Sequence, residues 1–204
     1  MRWLAFLLIS LVASGAAHAE FKKVARADSK LLLSMPYLDG GRQVFNDGGW
    51  SSTQKTNTAY AALVPQKGVY PRAQVYWDRA APQHYWKVGS SLDTTWIKQR
   101  VPFFKDKSVQ IDSAAPNSDA LLRVTRFSVD TASCVAFEMR QTFTGVGDSL
   151  PNALDSFSGI YCPPVGTPLT DELVQQVTEG IFVRRDGRIE RALPNVNKPL
   201  PFTN

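Results

Sequence analysis

Apolar and polar residues alternate most cleanly from Cys134 to Phe143, where Val135, Phe137, Met139 and Phe143 fall on one face of an extended chain. Ser156 to Cys162, SFSGIYC, is a second short run rich in aromatic and branched side chains, and reads as a strand. Ala120 to Val129 reads as a third, turned into the Cys134 run by Asp130-Thr131-Ala132-Ser133. The segments 120–129, 134–143 and 156–162 are thus expected to form an antiparallel meander. Upstream, Asn57 to Val64 predicts a strand closed by Pro65, and Val69 to Trp77 its partner across a Gln66-Lys67-Gly68 turn. Asp112 to Asp119, with Ala115-Pro116-Asn117, reads as loop.

The period changes after Leu169. Thr170 is a favoured N-cap, Asp171 and Glu172 complement the positive end of a helix, and Leu169 can staple onto Val174. Leu173, Val177 and Ile181 follow at spacings of four, and Arg184 and Arg185 suit a helix C-terminus stopped by Asp186-Gly187. The pattern predicts a helix over 171–185, with a hairpin at Asp186-Gly187 as the rival for its last turn. Leu92 to Val101 fits helix or strand, and Pro102 ends it in either case. Strands in runs followed by a packing helix give an α+β class, an antiparallel sheet covered on one face by the C-terminal helix. Residues 20–193 read as one globular domain, and 194–204, with three prolines, as a flexible tail.

Met1 to Ala19 has a different organisation. Arg2 precedes an apolar run from Trp3 to Val12, and small residues end in Ala17-His18-Ala19, the layout of a secretory signal peptide cleaved after Ala19. The apolar run is about half the length a bilayer span requires, and no later stretch is apolar enough to serve as a transmembrane segment. No Cys follows the cleavage point, which removes the lipoprotein route. The expected location is periplasmic or secreted. The formal charge of +5 drops by one when Arg2 leaves with the leader, and the excess is spread along the chain. Nucleic-acid binding, which usually shows as a concentrated basic stripe, is therefore not expected.

Export gives meaning to the two cysteines, Cys134 and Cys162. They do not form a C-x-x-C motif, and disulfides persist in an oxidising compartment. Setting the two opposite each other in antiparallel strands places Val135 against Tyr161, Phe137 against Gly159 and Met139 against Phe157. That is the register that gathers the apolar residues on one face and lays an aromatic ring over a glycine. A bridge of this loop length stabilises the fold by about 3–4 kcal/mol.

The chemistry is sparse. His84 is the one histidine outside the leader, which leaves too few ligands for a zinc site, and no cofactor is expected. Ser52-Thr53-Gln54-Lys55 matches S-x-x-K without the companion motifs of acylating enzymes, and Asp39-Gly40-Gly41 with Asp47-Gly48-Gly49 reads as two turns. The most unusual stretch is Val69 to Trp96. On a strand, Tyr70, Arg72, Gln74 and Tyr76 share one face and Ala73, Val75 and Trp77 the other, with His84 and Trp86 following. Rings beside guanidinium and amide groups suit a glycan, a peptide or a small anionic ligand. Tyr70, Arg72, Gln74, Tyr76, His84 and Trp86 are the candidate ligand-binding residues, and a cell-envelope protein, a glycan or a small ligand the candidate partner. The same rings could equally serve as core.

Two functions fit: a non-catalytic exported binding or structural module, or a small exported hydrolase using paired carboxylates drawn from Asp78, Asp93, Glu138 and Asp155. Mass spectrometry of the exported protein is expected to give an N-terminus at Glu20 and two cysteines that resist alkylation until reductant is added. A mass retaining the leader would contradict the export reading, and two freely alkylated thiols would contradict the bridge.

Overall fold

Two antiparallel meanders, joined side by side, make the main sheet. A computed structural model describes residues 22–38, 43–47, 56–63, 72–80, 92–114, 122–142 and 153–193. The sheet has eight strands: β1 (Lys22–Val24), β3 (Gln43–Asp47), β4 (Thr56–Leu63), β5 (Ala73–Ala80), β6 (Val109–Ala114), β7 (Leu122–Val129), β8 (Ala132–Thr142) and β9 (Ala153–Tyr161). Their order is β1-β3-β4-β5-β9-β8-β7-β6, so β9 closes the second meander against the last strand of the first. A three-stranded sheet combines β2 (Leu31–Leu33), β10 (Ile181–Arg185) and β11 (Arg188–Arg191) in the order β11-β10-β2.

The expected meander is present. Strand β8 pairs antiparallel with β9 in the register set by the cysteines: Val135 opposite Tyr161, Phe137 opposite Gly159, Met139 opposite Phe157. The Cys134–Cys162 disulfide sits at the end of that ladder, with the two Cα atoms 4.3 Å apart. The β7–β8 turn is tighter than expected, a two-residue loop of Asp130 and Thr131 between the paired Val129 and Ala132. Asp130 there has φ +50°, a left-handed conformation that aspartate tolerates.

The structure corrects four expectations. The C-terminal helix, α2 (Asp171–Glu179), stops at Gly180, and Ile181–Arg185 is strand β10. The chain at Gly180 passes so near β2 that a Cβ there would lie 2.4 Å from the Ser34 carbonyl oxygen, and the Ser34 amide donates to the Gly180 carbonyl at 2.8 Å. The run Ile181-Phe182-Val183 then pairs with Leu31–Leu33, and a two-residue Asp186-Gly187 turn, both residues at positive φ, folds it onto β11. Second, the partner of β4 runs from Ala73 to Ala80, where Val69 to Trp77 was expected, with 69–71 outside the described residues. Third, β6 continues to Ala114 through a bulge between Ile111 and Ser113, so 112–114, expected as loop, are strand, and 115–119 lie outside the described residues. Fourth, the sheet is covered on both faces.

That double cover follows from connectivity. The chain leaving β5 must reach β6 at the far edge, and between them lie α1 (Thr94–Arg100) and a 3-10 turn at Pro102–Phe104. Asp93 caps α1 by accepting from the Trp96 amide at 2.8 Å, and the ambiguous segment 92–101 is helical over Thr94–Arg100. Ile97, Val101 and Phe104 pack on Phe127, Val129, Cys134, Ala136, Ile160 and Cys162. The opposite face, with Val75, Trp77, Val135, Phe137, Met139, Phe157 and Tyr161, meets Leu31–Leu33, α2 and β10. Thr170 caps α2 as expected, accepting from the Leu173 amide at 3.2 Å, and Leu169 packs on the same core. Among the described residues no helix is long and apolar enough to cross a membrane. The tail 194–204 lies outside the described residues.

A Cβ at Gly159 would lie 2.2 Å from the Gln74 carbonyl oxygen and 2.9 Å from the Val75 Cα, both backbone atoms of β5. Gly159→Ala is therefore expected to prise β9 from β5 and to destabilise by about 3 kcal/mol, at the upper end for an overpacked core. Urea unfolding checks this as a lowered midpoint at unchanged slope.

Candidate ligand-binding face

The face of β5 that carries Arg72, Gln74, Tyr76 and Asp78 is the one under α1. Alternation along β5 sends these side chains to that face and Ala73, Val75 and Trp77 into the opposite core, as the sequence predicts. Across β9 and β8 the register extends it into rows. Tyr76 stands beside Ser158, Ser158 beside Glu138 and Glu138 beside Arg123 on β7; in the next row Asp78 stands beside Ser156 and Ser156 beside Arg140. Toward the disulfide the same face turns apolar through Ala136 and Ile160, so it is divided into a greasy half under Ile97 and Phe104 and a polar half.

Arg100, the last residue of α1, reaches into the polar half. Its guanidinium donates to Ser158 Oγ at 2.7 and 3.0 Å and to Asp78 Oδ2 at 2.5 Å, and lies 4.8 Å from the centre of the Tyr76 ring. Gln74 Nε2 donates to the Tyr76 hydroxyl, which in turn donates to the Arg100 carbonyl at 3.0 Å. Gln74 and Tyr76 thus satisfy an otherwise open carbonyl at the end of α1 and pin the helix to the sheet. Arg72 stands apart, at the start of β5, donating to the Cys162 carbonyl at 3.4 Å. The structure brings Gln74 and Tyr76 together and places Arg72 on the same face at the strand's start, while Tyr70, His84 and Trp86 lie outside the described residues. The Ser52–Lys55 motif lies outside them as well.

The four carboxylates considered for acid–base chemistry are all engaged. Asp78 pairs with Arg100, and Asp93 caps α1. Glu138, only 8% exposed, is gripped by Arg123 on one oxygen and by Arg140 on the other, the latter at 3.0 Å. Burial pulls both guanidinium groups below their ordinary range, and the Arg140 charge pulls Arg123 down further. Asp155 faces the opposite core, where Trp77 Nε1 donates to it at 2.8 Å and Arg185 at 2.6 Å. Among the described residues no three His, Cys, Asp or Glu side chains converge to hold a metal ion. Arg100 and Ser158 were not singled out by sequence; the one hint is SFSGIYC itself, whose two serines alternate with Phe157 and Gly159 and so must face a common side.

At the disulfide end of β5 and β9, the buried Tyr161 hydroxyl donates to the Pro36 carbonyl at 2.8 Å. Burial pushes this phenol well above its ordinary value, the Arg72 charge opposes the rise and Tyr37 adds to it. A phenol whose folded pKa is raised keeps its proton in the folded chain, so its contribution is complete below the unfolded value of about 10 and is lost as pH climbs above it. Stability is expected to fall above about pH 10, and Tyr161→Phe, although costing about 1 kcal/mol at neutral pH through the lost hydrogen bond, should make that alkaline fall shallower. Denaturant titrations at pH 7 to 11.5 measure both; an equally steep fall in the variant would contradict the assignment. Comparison with protein-family models, characterised proteins and solved structures gives no match to this chain.

Proposed function

We propose that the chain is an exported, non-catalytic binding module, released from its leader after Ala19, that holds a ligand of the cell envelope on the Arg72–Gln74–Tyr76 side of β5. The observation that carries this reading is the engagement of the carboxylates. Asp78, Asp93, Glu138 and Asp155 each have a guanidinium or backbone partner, and only Asp78 and Glu138 share a face of the sheet. A general acid needs a pKa raised by an apolar setting and a base needs a free oxygen near the reacting bond. A carboxylate gripped by two arginines supplies neither. The buried disulfide agrees with a protein that matures in an oxidising space.

The α1 side of β5 is built like a recognition surface in one respect: Arg72, Gln74, Tyr76 and Arg100 are all partly exposed near a rigid strand–helix junction and pre-positioned by hydrogen bonds. The disulfide-intact protein lacking its leader is expected to turn over no chromogenic glycoside, ester or peptide. Immobilised, it is expected to retain a saccharide or peptide fraction from envelope extracts, and Arg72→Gln should reduce that retention at least tenfold. Turnover that disappears in Asp78→Asn or Glu138→Gln would overturn the reading in favour of a hydrolase.

A further inference from the structure

Four strands stand at the ends of the two sheets, and their sequences treat the open edge differently. β1 is three residues long and two of them are lysine; β11 carries three charges in four residues; β2 is buried throughout as Leu31–Leu33. Short length, charge and burial are the ordinary means of keeping an edge from pairing with another chain. β6 uses none of them over its first three residues. Val109, Gln110 and Ile111 carry no charge and no proline, Gln110 is exposed, and Ile111 is 38% exposed. Among the described residues no strand pairs with the outer side of β6.

The β7–β8 hairpin fixes which backbone groups of β6 are open. A two-residue loop closes on a pair that exchanges both hydrogen bonds, here Val129 and Ala132. The amide and carbonyl of Val129 therefore point to β8, and those of Ser128, its neighbour along β7, point to β6. Ser128 is paired with Gln110, so Gln110 turns its amide and carbonyl inward, while Val109 and Ile111 turn theirs outward. The Val109 and Ile111 side chains lie on the α1 face. Ile111 is opposite Phe127, against which Phe104 packs edge-on, and Phe104 in turn meets the 46% exposed Phe103. Open amides, open carbonyls and exposed apolar side chains thus coincide on one short stretch.

We infer that β6 is the contact between two copies of this chain, paired antiparallel about a two-fold axis at Gln110. That axis sets Val109 of each copy opposite Ile111 of the other, and each of the two Val109–Ile111 pairs exchanges two backbone hydrogen bonds. Apolar side chains then meet on the α1 face, and Gln110 meets Gln110 on the other. An axis at Val109 would set Ile111 against Lys107, outside the strand, and one at Ile111 would set Val109 against Ser113, beyond the bulge. The charges agree with the axis at Gln110, since Asp112 of each copy comes to the Lys105–Lys107 end of the other. The stretch is its own complement, which favours a second copy over an unrelated extended segment. The bulge ends the pairing after Ile111, so the contact is small. It lies beyond β9, β8 and β7 from the Arg72–Gln74–Tyr76 side of β5 and is independent of the ligand reading.

Sedimentation velocity of the disulfide-intact protein lacking its leader, between about 5 and 500 µM, is expected to show a monomer–dimer equilibrium with Kd on the order of 100 µM, as suits a small interface. Gln110→Lys and Gln110→Glu should each weaken association at least tenfold, because like charges then face each other across the axis. An equimolar mixture of the two variants should associate at least as tightly as the unaltered chain, and that recovery shows that neither variant is merely misfolded. An unaltered chain that stays monomeric at about 500 µM would overturn the contact. So would charge variants that dimerise as tightly as the unaltered chain, or a mixture that stays monomeric.

Discussion

The close approach of β9 to β5 at Gly159 is the constraint on which the rest of this fold depends. A hydrogen atom in place of a side chain lets the Gln74–Val75 backbone pass within a distance no Cβ would tolerate, and Phe137 occupies the neighbouring position on β8. Three strands are thereby locked at one level. Once Gly159 lies between Phe137 and Val75, the cysteines meet at one end and the serines of β9 face α1. A one-residue slip would carry every apolar side chain of β9 to the wrong face and separate the sulfur atoms. The disulfide holds this register; the glycine allows it.

From that level the two faces acquire different characters. The face toward α2 and the small sheet is mostly apolar among the described residues, with Asp155 held by Trp77 and Arg185, and Arg126 paired with Asp171 at the start of α2. The face toward α1 begins apolar and ends polar, because Arg100 closes the helix at the level where serine, tyrosine and carboxylate side chains begin. The proposed binding surface lies at the margin of an otherwise structural network. Gln74 and Tyr76 hold the helix, and Arg72, one pleat beyond it, has capacity left over.

The sequence carried the second meander well, because alternation in Cys134–Phe143 and the demand that two cysteines meet act on the same register and can be checked against each other. It carried α2 only as far as Glu179. A spacing of four at Leu173, Val177 and Ile181 is continuous through Gly180, and nothing local announces that Ile181–Val183 will find Leu31–Leu33 as neighbours. Strands β1, β2 and β3 escaped for the same reason: runs of three to five residues have too few repeats to show a period, and their pairing is supplied by distant chain. The second layer over the sheet was missed because Ala136, Glu138 and Arg140 look like a solvated edge until α1 is placed above them. Of the site, the shared face of Arg72, Gln74 and Tyr76 was legible from a period of two. Arg100 was not, since its role depends on a helix whose existence the sequence left open.

The pairing of β2 with β10 has a temporal side. Leu31, Leu32 and Leu33 are among the first apolar residues of the domain to be made, and the strand that shelters them spans Ile181–Val183, near the end of the chain. Until those last residues emerge, an early leucine triplet with strong self-association tendency has no native neighbour in its own sheet, and loop closure over such a span is slow. Chains cut short before β10 would leave those leucines without the strand that pairs with them.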